Sequence, residues 1–322
     1  MIRTIVITVM LTGAFFLTGC SNDTGTDRLQ KVGLLLETTI DDQTWNRKGY
    51  AGLISIRDTY DVEMFVKEEV QNRSEINRAV DELVKNGVNL IFGHSNVYGR
   101  PFVEIAPEYP HVHFVYFNGG HWEDNVTTFN FNTHAMGFFA GMVAGKMTTT
   151  NHVSIIAAYE WQPEIEGFYE GVKFQNADAQ VRINYVNDWN DEGTALDVYN
   201  TEKNEHVDVF YPASDVFNEQ IVTKASEDNL YAIGYMEDQS QIDPDLVLTS
   251  TIQHVEKLYT YAAEQYNDEA LTGGVETFDF QDGMVAMGPY SDDMPGYFQT
   301  IMHEAVNTYI ESNLLPNEHA ID

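Results

Sequence analysis

The chain holds a single cysteine, Cys20, in 322 residues, so no disulfide can form within it. Bases are scarce as well: 17 Lys and Arg face 50 Asp and Glu, a formal net charge of −33. Such a field repels nucleic-acid phosphate and anionic lipid headgroups, so direct nucleic-acid binding is not expected; it suits a surface kept hydrated in salty surroundings. No G-x-x-x-x-G-K phosphate loop, G-x-S-x-G elbow or H-E-x-x-H zinc motif is present. An enzyme is therefore not expected, nor is a cofactor. His111 and His113 flank Val112, a spacing that on a strand puts both on one face, where two imidazoles can share a metal. The more common state for such histidines is exposure or a backbone partner. Asp41-Asp42 and Glu237-Asp238 offer carboxylate pairs, but adjacent acids arise by chance in so acidic a chain.

What is present begins with Arg3, an apolar run from Ile5 to Leu17, and Leu17-Thr-Gly-Cys20. The run is too short and too interrupted by Thr and Gly to span a bilayer; with its basic start and small-residue end it is a secretory signal. The Leu-Thr-Gly-Cys ending looks like a bacterial lipobox. That implies cleavage before Cys20 and acylation of its thiol and new amino group, palmitate included. Two or more acyl chains anchor stably where one is marginal. Residues 21–30 are polar and aperiodic, as a tether should be. The expected location is the extracytoplasmic face of a bacterial cell membrane.

The body that follows is long for one core and suits two lobes. Lys31 to Asn46 sets the pattern: an apolar run, Val32 to Leu36, reads as a strand buried on both faces, and a polar loop then delivers Asp42, Trp45 and Asn46 to a helix. The rhythm repeats. A strand from Val62 to Lys67 precedes a helix capped at Ser74 and stopped at Gly87; strands follow at Val88 to Gly93, Val112 to Phe117 and Val126 to Phe131. Gly137, Gly141 and Gly145 lie four apart on the next helix, Ala135 to Met147, and give it a flat face for close packing. Further strands are expected at Asn151 to Ala158, Val181 to Val186, Val207 to Tyr211, Tyr231 to Tyr235, Leu246 to Ser250 and Gly283 to Gly288, with helices between them and a last one from Tyr297 to Ile310. Alternating βα units of this size make parallel sheets with right-handed crossovers, and small molecules bind at the carboxyl ends of such strands.

Those ends are rich in rings and polar groups: Trp45, Tyr98, Asn118, Trp161, Tyr211 and Asp215. Aromatic faces stack a planar base for about 1–3 kcal/mol each, and carboxylates and amides accept from sugar hydroxyls. Each residue alone is more often packing or, for Asp42, a helix cap. As a set they favour a neutral, ring-bearing solute.

The lipobox, the Asp41-Asp-Gln-Thr-Trp-Asn46 loop with Gly49-Tyr-Ala-Gly52, Pro107-Glu-Tyr-Pro110, Met136-Gly-Phe-Phe-Ala-Gly141, Tyr231-Ala-Ile-Gly-Tyr-Met-Glu-Asp-Gln-Ser240 and Val247-Leu-Thr-Ser250 resemble the basic membrane protein (BMP) lipoproteins. The resemblance covers residues 31 to 290 or so. It implies an α/β fold of the type I periplasmic-binding kind: two lobes, each a parallel sheet flanked by helices, joined by a multi-strand hinge. It implies too a substrate-binding protein of an ABC importer, with a nucleoside-like solute and an ABC permease as partners. Trp161-Gln-Pro-Glu and Tyr211-Pro-Ala are similar to the Med subgroup, proteins named as positive regulators of competence gene expression. That implies the alternative of a regulatory lipoprotein acting indirectly. Carried over, the family's Asp-Lys-Ser-Phe-Asn loop falls on Asp42 to Asn46, with Trp45 in place of the stacking phenylalanine. Tyr211 falls at a second stacking position, with Ser214 just beyond it. Three positions depart: Asn118 and Met236 replace aspartates, the second of which holds ribose, and Gln253 replaces a lysine. A thioether cannot accept from sugar hydroxyls, a loss worth about 1–3 kcal/mol if the partner goes unsatisfied. The resulting domain expectation is a signal at 1–19, lipidated Cys and tether at 20–30, lobe 1 at 31–150 with about 252–280, lobe 2 at 151–251 with about 281–313, and a tail at 314–322.

Overall fold

The computed structural model describes residues 28–319; the signal, Cys20 and most of the tether fall outside them. The first lobe is built from β1 (Lys31–Leu35), α1 (Thr44–Tyr60), β2 (Glu63–Lys67), α2 (Arg73–Lys85), β3 (Leu90–Gly93), α3 (Gly99–Ile105), β4 (His113–Phe117) and β5 (Val126–Phe131). The second takes α4 (Thr133–Met147), β6 (His152–Ala157), α5 (Pro163–Gln175), β7 (Gln180–Tyr185), α6 (Glu192–Asn204), β8 (Val209–Ala213), α7 (Asn218–Glu227), β9 (Tyr231–Met236) and β10 (Val247–Gln253). The chain then returns to the first lobe for α8 (Val255–Asn267) and β11 (Gly274–Phe278), and ends in the second with β12 (Val285–Met287) and α9 (Gly296–Ser312). The strand orders are β11-β5-β4-β3-β1-β2 and β12-β10-β9-β8-β6-β7. Every pairing is parallel except β10 with β12. No helix among the described residues is long and apolar enough to cross a membrane.

Local chemistry explains the framework. The run Val32 to Leu36 is buried throughout, as a central parallel strand requires. Helix α2 buries Ile76, Ala79, Val80 and Leu83 on one face. Its cap is Asn72 rather than Ser74: the Asn72 side chain accepts from the Ser74 and Glu75 amides, and Glu75 reaches back to the Asn72 amide. Gly87 supplies the left-handed residue after it, at φ +83°.

Helix α4 is buried nearly all round, and its glycine face is filled by α5. A Cβ at Gly137 would lie 2.2 Å from the Glu164 carbonyl oxygen, and one at Gly171 would lie 1.9 Å from that of Phe138. The two helices therefore meet backbone to backbone. Because α4 also packs on β8, β10 and β12, the chain leaves the first lobe at Asn132, not near residue 150 as expected from the sequence. Three crossings, at Asn132, His254 and 279–284, join the lobes. Asp279 ties them together: its Oδ2 accepts from Asn132 Nδ2 (2.6 Å) and from the Tyr309 hydroxyl (2.5 Å).

Candidate functional site

The carboxyl ends of β1, β3 and β4 face those of β8, β9 and β10 across the lobe boundary. The loop after β1 braces itself. The Asp42 carboxylate accepts from the Thr39 amide (2.9 Å), which holds its carboxyl below the usual range. Asn46, buried, donates from Nδ2 to Thr38 Oγ1 (2.8 Å) and the Thr39 carbonyl (2.9 Å). Both residues are thus committed to loop shape rather than held open for a ligand. Their effect is to fix Trp45 in the first turn of α1.

Trp45 is held by a histidine that the sequence reading did not single out. The indole lies flat on the His94 ring, centroids 4.4 Å apart and planes 13° from parallel, with Phe117 and Phe131 against its edges. Trp45 Nε1 donates to the His94 carbonyl (2.9 Å), and His94 Nε2 meets the Trp45 carbonyl (2.7 Å). A carbonyl only accepts, so the proton sits on Nε2 and Nδ1 is an acceptor. The Tyr259 hydroxyl donates to that Nδ1 (2.7 Å). Burial pushes the imidazole down to about 3, so it stays neutral and this tautomer is the resting one. Room for the pair comes from Gly49 and Gly52 on α1. A Cβ at Gly49 would stand 2.6 Å from His94 Nε2, and one at Gly52 would stand 2.6 Å from the Tyr259 ring. Gly49 and Gly52 were the available sequence signal: two glycines three apart in a helix mark the passage of large rings.

From the other lobe comes Asp215, just past β8. Its Oδ2 accepts from the Trp45 backbone amide at 3.4 Å, and Gln43 Nε2 donates to Asn190 Oδ1 at 3.0 Å. The end of α1 has no cap of its own: the Gln43 side chain makes no capping bond and the first turn holds no acid. Asp215 thus sets a carboxylate against the positive N-terminal end of a helix that belongs to the opposite lobe. Desolvation raises its carboxyl, with the Trp45 amide and the Arg47 charge pulling the other way. Ser214, beside it, is buried; its hydroxyl donates to the Trp189 carbonyl (3.2 Å) and accepts from the Val216 amide (3.3 Å).

The remaining expected positions are scattered around this seam. Tyr211 is fully buried in the second lobe, stacked on Phe168 at 5.4 Å with its hydroxyl against Thr251 Oγ1 (3.0 Å). Nearby, buried Glu164 accepts from the Tyr235 hydroxyl (2.9 Å) and Gln162 Nε2 (2.7 Å). Met236 ends β9 and Gln253 ends β10, both nearly buried. Asn118 is exposed at the end of β4. Asn118 and Met236 adopt left-handed backbone, φ +60° and +73°. Asp and Asn enter that region several times more readily than other side chains, so Met236 keeps a conformation better suited to an acid than to a thioether. The histidine pair does not form: His111 lies outside β4, and His113 Nε2 is 2.7 Å from Thr127 Oγ1. Among the described residues no three His, Cys, Asp or Glu are grouped to hold a metal ion.

Comparison with known proteins agrees with this architecture. The family model for ABC transporter substrate-binding proteins of the PnrA-like kind, Bmp, matches residues 29–312. The chain is 41% identical over 300 residues to the transcriptional activator protein Med of Bacillus subtilis, covering 93% of this chain and 95% of that one. It is 24% identical over 246 residues to a purine-binding protein of Brucella abortus, covering 76% and 69%. Among solved structures, a transcriptional activator of the comK gene from Bacillus halodurans superposes with a TM-score of 0.84 at 40% identity, over 89% of this chain and 99% of that one. A solute-binding protein of an ABC transporter system from Aeropyrum pernix, 18% identical over 90% of this chain and 83% of that one, shares the fold with a TM-score of 0.70. With its two parallel-dominated sheets and a seam at their carboxyl ends, the chain belongs to the Bmp family of ABC transporter substrate-binding proteins.

Proposed function

We propose that this chain is a lipid-anchored, extracytoplasmic solute-binding protein that closes on a small ring-bearing solute of nucleoside-like chemistry and presents it to an ABC permease. The observation that carries the reading is the meeting of Trp45 and Asp215 from separate lobes. Asp215 meets the backbone amide of Trp45, so the indole from one lobe and a partly buried carboxylate from the other stand near the same seam. Such groups stack a base and accept from N–H or O–H donors. Closure then reports occupancy, since the two lobes share these groups only when shut.

A thermal-shift screen of the mature chain against nucleosides, bases and other small solutes tests this. Ligand at a hundred times its dissociation constant adds about 2.7 kcal/mol to native stability, a rise of several degrees in a chain of this size. A nucleoside hit lost in Trp45→Ala is the expected result. No shift with any solute would sink the nucleoside assignment. Anchoring is tested separately by labelling cells with a palmitate analogue, where Cys20→Ala should lose the label.

A second reading, regulation rather than delivery, is favoured by the two relatives of about 40% identity, both named as transcriptional activators. With a charge of −33 and an export signal, the chain would not hold DNA itself, so a signal would pass through a membrane partner. Deleting the gene decides between them: loss of solute uptake supports delivery, and loss of competence-gene expression with uptake intact supports regulation.

A further inference from the structure

The second lobe leaves a cluster of rings uncovered at the edge of its sheet. Trp161 is 60% exposed, Tyr169 45% and Ile183 37%. They line an open groove of about 580 Å³ between the start of α5 and β7. The platform is stiff: Trp161 stacks on Tyr159 at 5.5 Å and 15°, and Trp189 buttresses it edge-on at 6.0 Å. An exposed tryptophan held this way offers contact area with little ordering left to do, which marks a docking surface rather than a stray surface ring. The strand that forms one wall, β7, is an edge strand with one side of its backbone free to pair.

Charge identifies the occupant. The charged side chains lining the groove are Glu160 and Glu166, both carboxylates. A second copy of this chain would bring another −33 to the contact, so self-association is opposed. A cation is drawn in instead, and the ring faces suit it. The chain already places its own Lys173 ammonium over the Tyr169 ring, 6.0 Å from its centre. We propose that this groove docks a basic segment of a partner protein, with an Arg or Lys side chain lying on the Trp161 indole between the Glu160 and Glu166 carboxylates. Neither the seam at Trp45 nor the identity of the solute enters this assignment.

The test uses the ¹⁵N-labelled mature chain, following the Trp161 indole N–H, with an acetylated Gly-Arg-Gly-Arg-Gly peptide and its citrulline counterpart as probes. The arginine peptide should shift the Trp161 resonance saturably at low salt, and the shift should weaken about tenfold or more when salt is raised. Glu160→Gln with Glu166→Gln should produce a similar loss while the solute-dependent thermal shift is kept. Trp161→Ala, at an exposed position, should abolish the peptide-induced shift of the neighbouring Trp189 indole N–H without unfolding the lobe. The absence of any shift, equal shifts with the citrulline peptide, or no change in the double glutamine variant would overturn the proposal. So would sedimentation showing a dimer that Trp161→Ala dissolves, because the groove would then belong to a second copy.

Discussion

Replacing Asp215 by Asn should make the protein more stable at neutral pH and worse at holding its solute. In the structure the carboxylate receives one amide, that of Trp45 at 3.4 Å, and feels the charge of Arg47; burial is the larger influence and opposes the charge. An Asn oxygen can still accept from the Trp45 amide, so the loss is the charge-assisted part of one long hydrogen bond, about 0.5–1 kcal/mol. The gain is relief of a desolvated charge, about 1–2 kcal/mol at a site kept for binding rather than stability. The net is roughly +0.5–1 kcal/mol, or about 2 °C in melting temperature for a chain of this length. The pH dependence has a definite sign. Asp215 is raised in the folded state above its ordinary 3.8, so its penalty is full above the folded value and fades as pH falls through that value toward 3.8. The advantage of the variant, read by calorimetry, should therefore be greatest near pH 7 and shrink on acidification. A variant that melts several degrees lower at pH 7 would refute the reasoning, because the attraction of the Asp215 charge to the α1 N-terminus would then outweigh its desolvation.

Three other perturbations test the packing behind the site. Tyr259→Phe strips His94 Nδ1 of its donor and should cost about 1–3 kcal/mol in urea unfolding. Because His94 stays neutral down to about pH 3, that cost should not change between pH 8 and pH 5, and a pH-dependent cost would contradict the tautomer. Gly171→Ala puts a methyl 1.9 Å from the Phe138 carbonyl oxygen and should cost about 3 kcal/mol or yield no soluble chain; a variant as stable as the parent would show that α4 and α5 are not interlocked. Asp208→Asn leaves a donor facing the Thr148, Thr149 and Thr150 groups, which now give the carboxylate four bonds of 2.6–2.9 Å. A loss of about 2–3 kcal/mol and faster amide exchange at Thr149 and Thr150 are expected.

Apolar runs told the truth wherever a strand was buried on both faces. β5 falls on Val126–Phe131 as read, and β4 begins one residue late. β11 escaped notice for the converse reason: Gly274–Phe278 is an edge strand whose Val275 and Thr277 face outward, so no run appears. The glycine spacing on α4 revealed a flat face but not its partner, because the matching Gly167 and Gly171 are on a helix reached only after β6. Trp45 was legible as a ring at a strand end. Its stack on His94 was not, since the two are 49 residues apart and meet only through the adjacency of β1 and β3. Asp215 was legible as a strand-end acid. That it caps a helix of the other lobe is a property of closure, which no local pattern encodes.

The knot at Asp279 has a mechanical consequence. One carboxylate oxygen holds Asn132, on the first crossing, and Tyr309, near the end of α9, while Asp279 itself begins the third crossing. The hinge is thereby geared to the last helix of the chain. Any turn of one lobe against the other must drag α9 or break those bonds, so a force applied to the C-terminal helix from outside would act as a handle on the opening angle.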